Sequence, residues 1–186
     1  MTTPHGVRIA WQGVPKGTPR REAAWSLLQE LLPRGATIDN PCPRCGGPHG
    51  PVRIQGARAV ASVTYAGGRA LVAVCEGADA TGVAAVGIDA EPVADERRDA
   101  AGLSGVLGAG EASVRSWTRV EAALKADGRG LRVDPASVTV EEGPDGWRAH
   151  VPGGGTIIGW DAAGPGDLVV SVAVRRISEE QAARSG

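Results

Sequence analysis

GVAAVGIDAEPV, residues Gly82–Val93, is the stretch that decides how this chain is read. The apolar run from Gly82 to Ile88 leads straight into Asp89 and Glu91 and predicts a buried strand whose end carries the two carboxylates. Two residues apart in an extended segment, both carboxylates leave the same face, separated by roughly 6–7 Å of backbone rise. They can share one cation. Further along, WTRVEAALKADGRGL (Trp117–Leu131) belongs to a helix predicted from about Gly110 to Asp127 and closed by Gly128. Val114, Trp117 and Leu124 form its apolar stripe, and Glu121 falls on that stripe. A lone carboxylate buried there is costly, so it needs a cation, a metal or a strong donor nearby. Lys125, four residues later, shares its face and reaches either Glu121 or an anion placed beyond it. Asp89, Glu91 and Glu121 with water make a hard, oxygen-rich site of the kind Mg²⁺ occupies while bridging phosphates, and Lys125 then suits a phosphate role. Spacing alone leaves a plainer alternative, in which these acids and the Glu121–Lys125 pair are solvated surface.

Around these two stretches the rest of the chain alternates in the same order. A first helix is predicted from Pro19 to Leu32, with Ala24, Trp25, Leu28, Leu31 and Leu32 at helical spacing and Pro33 ending it. A loop rich in Pro, Cys and Gly runs from Asn40 to Pro51. Ala59–Thr64 and Arg69–Glu76 read as strands joined across Gly67 and Gly68, a hairpin turn whose backbone N–H groups also suit a phosphate. After the second helix come strand candidates at Ser137–Glu141, Gly146–Val151, Thr156–Trp160 and Leu168–Val174. Helix-then-strands occurs twice, which predicts an α+β protein of two similar lobes, 1–84 and 85–186. The polar segment from about residue 178 reads as a disordered tail.

Composition narrows the class. With 186 residues and 42% hydrophobic content the chain can bury one sizeable core or two small ones. Its 20 basic and 21 acidic residues give a net charge of -1, so no overall field gathers nucleic acid or an anionic membrane, and any basic site is local. The longest apolar runs, Ala70–Cys75 and Leu168–Val174, fall far short of the ~20 residues of a membrane-spanning helix. MTTPHGVRIAW has no apolar segment following a basic one, so a secretory signal is not expected and the protein reads as cytoplasmic, with its three cysteines reduced. Phe is absent, and Ala, Gly and Val supply most of the apolar volume.

VGIDAEPV and WTRVEAALKADGRGL, taken together and in this order, resemble the two signature stretches of the 4′-phosphopantetheinyl transferase superfamily, G-[IV]-D-x-E on a strand and W-[ST]-x-K-E-[AS]-x-x-K on a helix. CPRCGGPHG (Cys42–Gly50) and ASVTYAGGRALVAV (Ala61–Val74) are similar to first-lobe stretches of the larger, surfactin-type branch. The resemblance covers about residues 20 to 175. It implies a pseudo-symmetric two-lobed α+β monomer with coenzyme A in the cleft between lobes. Asp89, Glu91 and Glu121 would hold Mg²⁺, Glu121 would help deprotonate the serine of an acyl or peptidyl carrier protein, and Lys125 would stabilise pyrophosphate charge. The phosphopantetheinyl arm would pass to that serine and 3′,5′-ADP would leave.

Three cationic positions of the family pattern differ here. Thr64 and Tyr65 stand where Ser-His is usual, His49-Gly50 runs into Pro51 without the usual Lys, and Val120 replaces the Lys before the catalytic Glu. The resemblance therefore implies a weakened hold on coenzyme A, with Thr64 and Tyr65 as neutral contacts and Arg20, Arg21, Arg44 or Arg53 supplying charge. A non-catalytic homologue that binds coenzyme A or a carrier without transfer is the alternative. Cys42, Cys45 and His49 have spacing that begins a zinc site, but a structural zinc normally takes four ligands and only the distant Cys75 remains. A tight glycine-rich turn lining the coenzyme cleft is therefore preferred over a zinc-stabilised module. His5 and His150 read as solvated, Arg97 and Arg98 as a solvated helix face, and Trp117 as core.

Overall fold

The computed structural model describes residues 4–77, 79–80, 82–94, 107 and 113–177. Its elements in chain order are strand β1 (Arg8–Gly13), helix α1 (Arg20–Leu31), strands β2 (Thr37–Asp39), β3 (Arg53–Gln55), β4 (Ala59–Ala66), β5 (Arg69–Glu76) and β6 (Val83–Pro92), helix α2 (Val114–Asp127), and strands β7 (Thr139–Gly143), β8 (Gly146–Val151), β9 (Gly155–Asp161) and β10 (Leu168–Arg176). The chain is α+β, and every strand pairing is antiparallel.

Helix α1 buries Ala23, Ala24, Leu27 and Leu28, one stripe repeating each turn. Leu32 is extended at φ −91, ψ 156, as a residue preceding proline prefers, and the helix ends there. Ser113 caps α2 by accepting the Ser116 N–H at 3.1 Å, and Gly128 closes it in the left-handed region at φ 89. The part of that helix predicted at 110–112, the positions of Arg97 and Arg98, and the tail from residue 178 lie outside the described residues. Gly67 and Gly68 form the β4–β5 turn with φ of 53 and 71, the pair of positive values a two-residue hairpin turn needs.

Two corrections concern strands. β1, β2 and β3 were not anticipated. The strand expected from Ser137 begins at Thr139, because Pro135–Ser137 make a 3₁₀ turn capped by the Asp134 side chain. β6 runs to Pro92 and so carries both carboxylates at its end as expected, with Asp89 opposite Ser171 and Glu91 opposite Val169 of β10.

The strands form a three-stranded sheet, β1-β5-β4, a five-stranded sheet, β6-β10-β9-β8-β7, and a separate β2–β3 ribbon. Leu71, Ala73 and Cys75 of β5 meet Ile88 of β6 and Val170, Val172 and Val174 of β10 in a core between the sheets. The alternate residues of β5, Ala70, Val72 and Val74, face α1, and Ala173 of β10 faces α2. Helix, sheet, sheet and helix thus stack in four layers. Both central strands are covered on both faces, which is why their sequences read as unbroken apolar runs. Among the described residues no helix is long and apolar enough to cross a membrane.

Helix α2 lies against β6 with little room between backbones. A Cβ at Gly87 would overlap the Ala122 carbonyl and stand 2.7 Å from the Ala126 nitrogen, both immovable main-chain atoms. Gly87→Ala is therefore expected to destabilise the protein by about 1–3 kcal/mol in urea denaturation. Gly143→Ala, whose Cβ would meet only the Gly146 oxygen at 3.6 Å, should stay within about 0.5 kcal/mol of the parent.

Candidate functional site

Alternation along β6 sends Val86, Ile88 and Ala90 into the core between the sheets, and Gly87, Asp89 and Glu91 to the other face. Asp89 is 5% exposed. Its Oδ1 accepts from Lys125 Nζ at 2.7 Å and from Thr64 Oγ1 at 3.0 Å, and Lys125 also donates to the Ile88 carbonyl at 3.0 Å. Lys125 therefore reaches across from α2 to Asp89. Asp89 Oδ2 is buried and, among the described residues, has no hydrogen-bond partner. A buried carboxylate oxygen with nothing to accept from is expensive. It is the kind of atom a hard cation satisfies.

The direction of α2 places Glu121. Thr118 Oγ1 meets Ser171 Oγ at 2.9 Å, and Ser171 pairs with Asp89; Arg175, paired with Ala85, donates from Nε to the Ala126 carbonyl at 3.2 Å. The helix therefore runs antiparallel to β6. Glu121 shares the helix face of Lys125 but lies one turn further toward the Glu91 end. Asp89, Glu91 and Glu121 thus border one region of the β6–α2 seam. Their oxygens do not converge as a ready-made ligand set: among the described residues the metal-ligating groups that do so are Cys42, Cys45 and His49. Three carboxylates repel one another until a cation draws them in. The donor set and the unpartnered Asp89 Oδ2 fit Mg²⁺.

Of the helix stripe expected from Val114, Trp117 and Leu124, only Leu124 is buried. α2 buries Thr118, Val120, Ala122, Ala123, Leu124 and Ala126, while Val114 and Trp117 are half-buried and not core. Alanines, Ala122 and Ala126, stand where the helix meets Gly87.

A cleft of about 420 Å³ opens beside Lys125, between Arg53, Ile54 and Val60 on one side and Ala85, Val86 and Gly128 on the other. Of the predicted coenzyme contacts, Arg53 and Lys125 line it. Thr64 faces Asp89. Arg20 stacks on the Tyr65 ring at 4.8 Å, on the α1 side of β4. Burial pushes the Tyr65 phenol up, against the opposing pull of Arg20 and Arg21. Arg21 donates to the Pro48 carbonyl at 2.9 Å, and Arg44 is exposed on the same loop. The predicted cations therefore divide between the cleft and the α1 side. Between Val93 and Gly110 only Ala94 and Leu107 are among the described residues.

Sequence reasoning missed two polar features. Ser62 accepts the Ile88 N–H at 3.2 Å, which satisfies the edge of β6 that no strand pairs. Its signal was polar Ser62 and Thr64 recurring every second residue on a face that turns out buried. The second is an ion network on α2: Arg119 binds Asp161 through Nε and Nη2 at 3.0 and 2.8 Å and Glu142 at 2.5 Å, while Ser171 donates to Asp161 at 3.1 Å. It links β7, β9 and β10 through one guanidinium. His5 is not solvated as expected; its ring packs 5.8 Å from that of Trp160.

The chain matches no known protein-family model, and no curated protein matches its sequence.

Burial pushes the Asp161 carboxyl up, but the Arg119 hydrogen bonds and charge, with help from Ser171 and Arg115, outweigh it and hold the group below its ordinary range. A depressed folded pKa stabilises above the unfolded value of about 3.9 and loses that contribution as pH falls through the folded value. The stability gap between the parent and Arg119→Leu should thus be widest near neutrality and narrow below about pH 4. Urea midpoints measured across that range check it.

Proposed function

We propose that this chain is a Mg²⁺-dependent 4′-phosphopantetheinyl transferase, acting on coenzyme A and the serine of an acyl or peptidyl carrier protein. The observation that carries the reading is Asp89: buried, held on one oxygen by Lys125 and Thr64, unpartnered on the other, and set beside a cleft with its own cations. The motif resemblance supplies the reaction. In this reading α1 on the first sheet and α2 on the second are the two pseudo-symmetric lobes of that fold, and the protein works as a cytoplasmic monomer.

Arg53 and Lys125 receive the coenzyme's pyrophosphate from the cleft. Mg²⁺ held by Asp89, Glu91 and Glu121 neutralises charge on that pyrophosphate when bound. The carrier serine hydroxyl gives its proton to Glu121 while its oxygen attacks the phosphorus that bears the pantetheine arm. The bond from that phosphorus to the bridging oxygen breaks, and 3′,5′-ADP leaves. Lys125 moves from Asp89 to the phosphate oxygens as negative charge develops, so positioning and electrostatics do most of the work. Thr64 keeps Asp89 in place throughout. With few cations besides Arg53 and Lys125 in the cleft, a modest affinity for coenzyme A follows.

A second reading, a homologue that binds without transfer, is favoured by the three altered cationic positions and by the engagement of Lys125 with Asp89. The two separate in one assay. Incubated with coenzyme A, Mg²⁺ and a panel of apo carrier domains, the protein should add the phosphopantetheinyl mass to at least one of them. Asp89→Asn and Glu121→Gln should each slow that addition by about 100-fold or more. Undiminished transfer by Glu121→Gln removes the assigned base. Calorimetric binding of coenzyme A without mass transfer to any carrier supports the second reading.

A further inference from the structure

The loop joining β2 to β3 folds back on itself. Cys42 N–H donates to the Gly47 carbonyl at 2.8 Å, Gly46 N–H to the Cys42 carbonyl at 2.8 Å, and Gly50 N–H to the Asn40 carbonyl at 2.8 Å. Two side chains clamp it from outside, since Arg21 and the Asn40 amide both donate to the Pro48 carbonyl, at 2.9 and 3.0 Å. Its glycines are needed for this shape. Gly46 is left-handed at φ 71, and a Cβ at Gly47 would press on the His49 ring at 3.2 Å and the Cys45 sulfur at 3.4 Å. The result gathers Cys42 Sγ, Cys45 Sγ and a His49 ring nitrogen within 4.8 Å of one another, with Cys45 Sγ 3.0 Å from His49 Nε2.

Zn–S bonds of about 2.3 Å and Zn–N bonds of about 2.0–2.1 Å set tetrahedral ligand separations of roughly 3.5–3.8 Å. The Cys45–His49 separation of 3.0 Å lies below that value and no pair exceeds 4.8 Å, so small side-chain rotations close the set. Backbone N–H groups of Arg44 and Cys45 also point at the Cys42 sulfur. Cys75 is not a fourth ligand: it is buried in β5, with its thiol on the His5 carbonyl.

We propose that Cys42, Cys45 and His49 bind Zn²⁺, with a water in the fourth position. Cys45 and His49 are exposed, so that position faces solvent. Two soft thiolates and an imidazole select zinc over Mg²⁺, which keeps this site chemically separate from Asp89. Binding displaces the two thiol protons to solvent and leaves His49 neutral. The ion pins the loop that runs directly into Pro51, Val52 and Arg53, which form one wall of the 420 Å³ cleft. The inference does not depend on the transferase reading, because metal content is measured without any reaction.

The full chain, purified without chelator, incubated with equimolar Zn²⁺ and desalted, should carry about one zinc per molecule by elemental analysis. Reconstitution with Co²⁺ should give the near-ultraviolet charge-transfer band of cobalt–thiolate bonds. Cys42→Ser and Cys45→Ser should lose both signals, while Asp89→Asn keeps them. Should the cysteine variants fail to fold, chelation of the parent protein gives the second readout: its thermal midpoint should fall on zinc removal and recover on zinc addition. Zinc below about a tenth of an equivalent after reconstitution overturns the proposal, as does full zinc retention by both cysteine variants.

Discussion

Helix α2 can carry its side chains to β6 only because Gly87 has none. At that residue the strand touches the Ala122–Ala126 backbone of the helix, and any Cβ would force the two apart. Close approach lets a lysine stem reach Asp89 with its ammonium 2.7 Å from the carboxylate. It also explains why alanines, Ala122 and Ala126, stand where α2 meets Gly87, while Val120 and Leu124 are buried elsewhere on the helix. The G-x-D spacing at Gly87 and Asp89 is thus one device: the first residue sets the distance, and the second uses it.

Asp89 joins the two sheets chemically as well as spatially. Thr64 comes from the first sheet and Lys125 from the helix covering the second, and both meet at one carboxylate oxygen while the other oxygen waits without a donor. A site assembled from both layers responds to any shift between them. Ser62, which accepts the unpaired N–H of Ile88, holds the facing edges of β4 and β6 in register and so keeps Thr64 opposite Asp89. The cleft beside Lys125 is likewise shared, with the segment after the cysteine loop on one side and β6 with the end of α2 on the other.

Much of this was legible in the residues. β5 and β8 have the bounds expected of them, because glycine turns flank both and their apolar content is unambiguous. The acids at the end of β6 and on one face of it followed from the apolar run before them and from period-two alternation, although the pairing of that end with β10 did not, since no local pattern encodes it. β1 was invisible for the same reason: RIAWQG owes its extended state to β5, some sixty residues away. β2 and β3, at three residues each, are too short to carry a period. The helix stripe was misjudged because hydrophobicity favours large residues such as Trp117, whereas close packing on Gly87 selects small ones. The convergence of Cys42, Cys45 and His49 was not legible, because spacing counts ligands, while the fold shows how backbone and glycines bring three of them together.

In the proposed reaction Asp89 Oδ2 binds a divalent cation and Lys125 is released to phosphate. A crystal grown with Mn²⁺ and coenzyme A, examined by anomalous scattering, tests this directly. The account predicts a peak about 2.2 Å from Asp89 Oδ2, with oxygens of Glu91, Glu121 and the pyrophosphate completing the shell and Lys125 turned toward the phosphate. Coenzyme bound in the cleft with no metal at Asp89, and Lys125 still hydrogen-bonded to it, would contradict the claim.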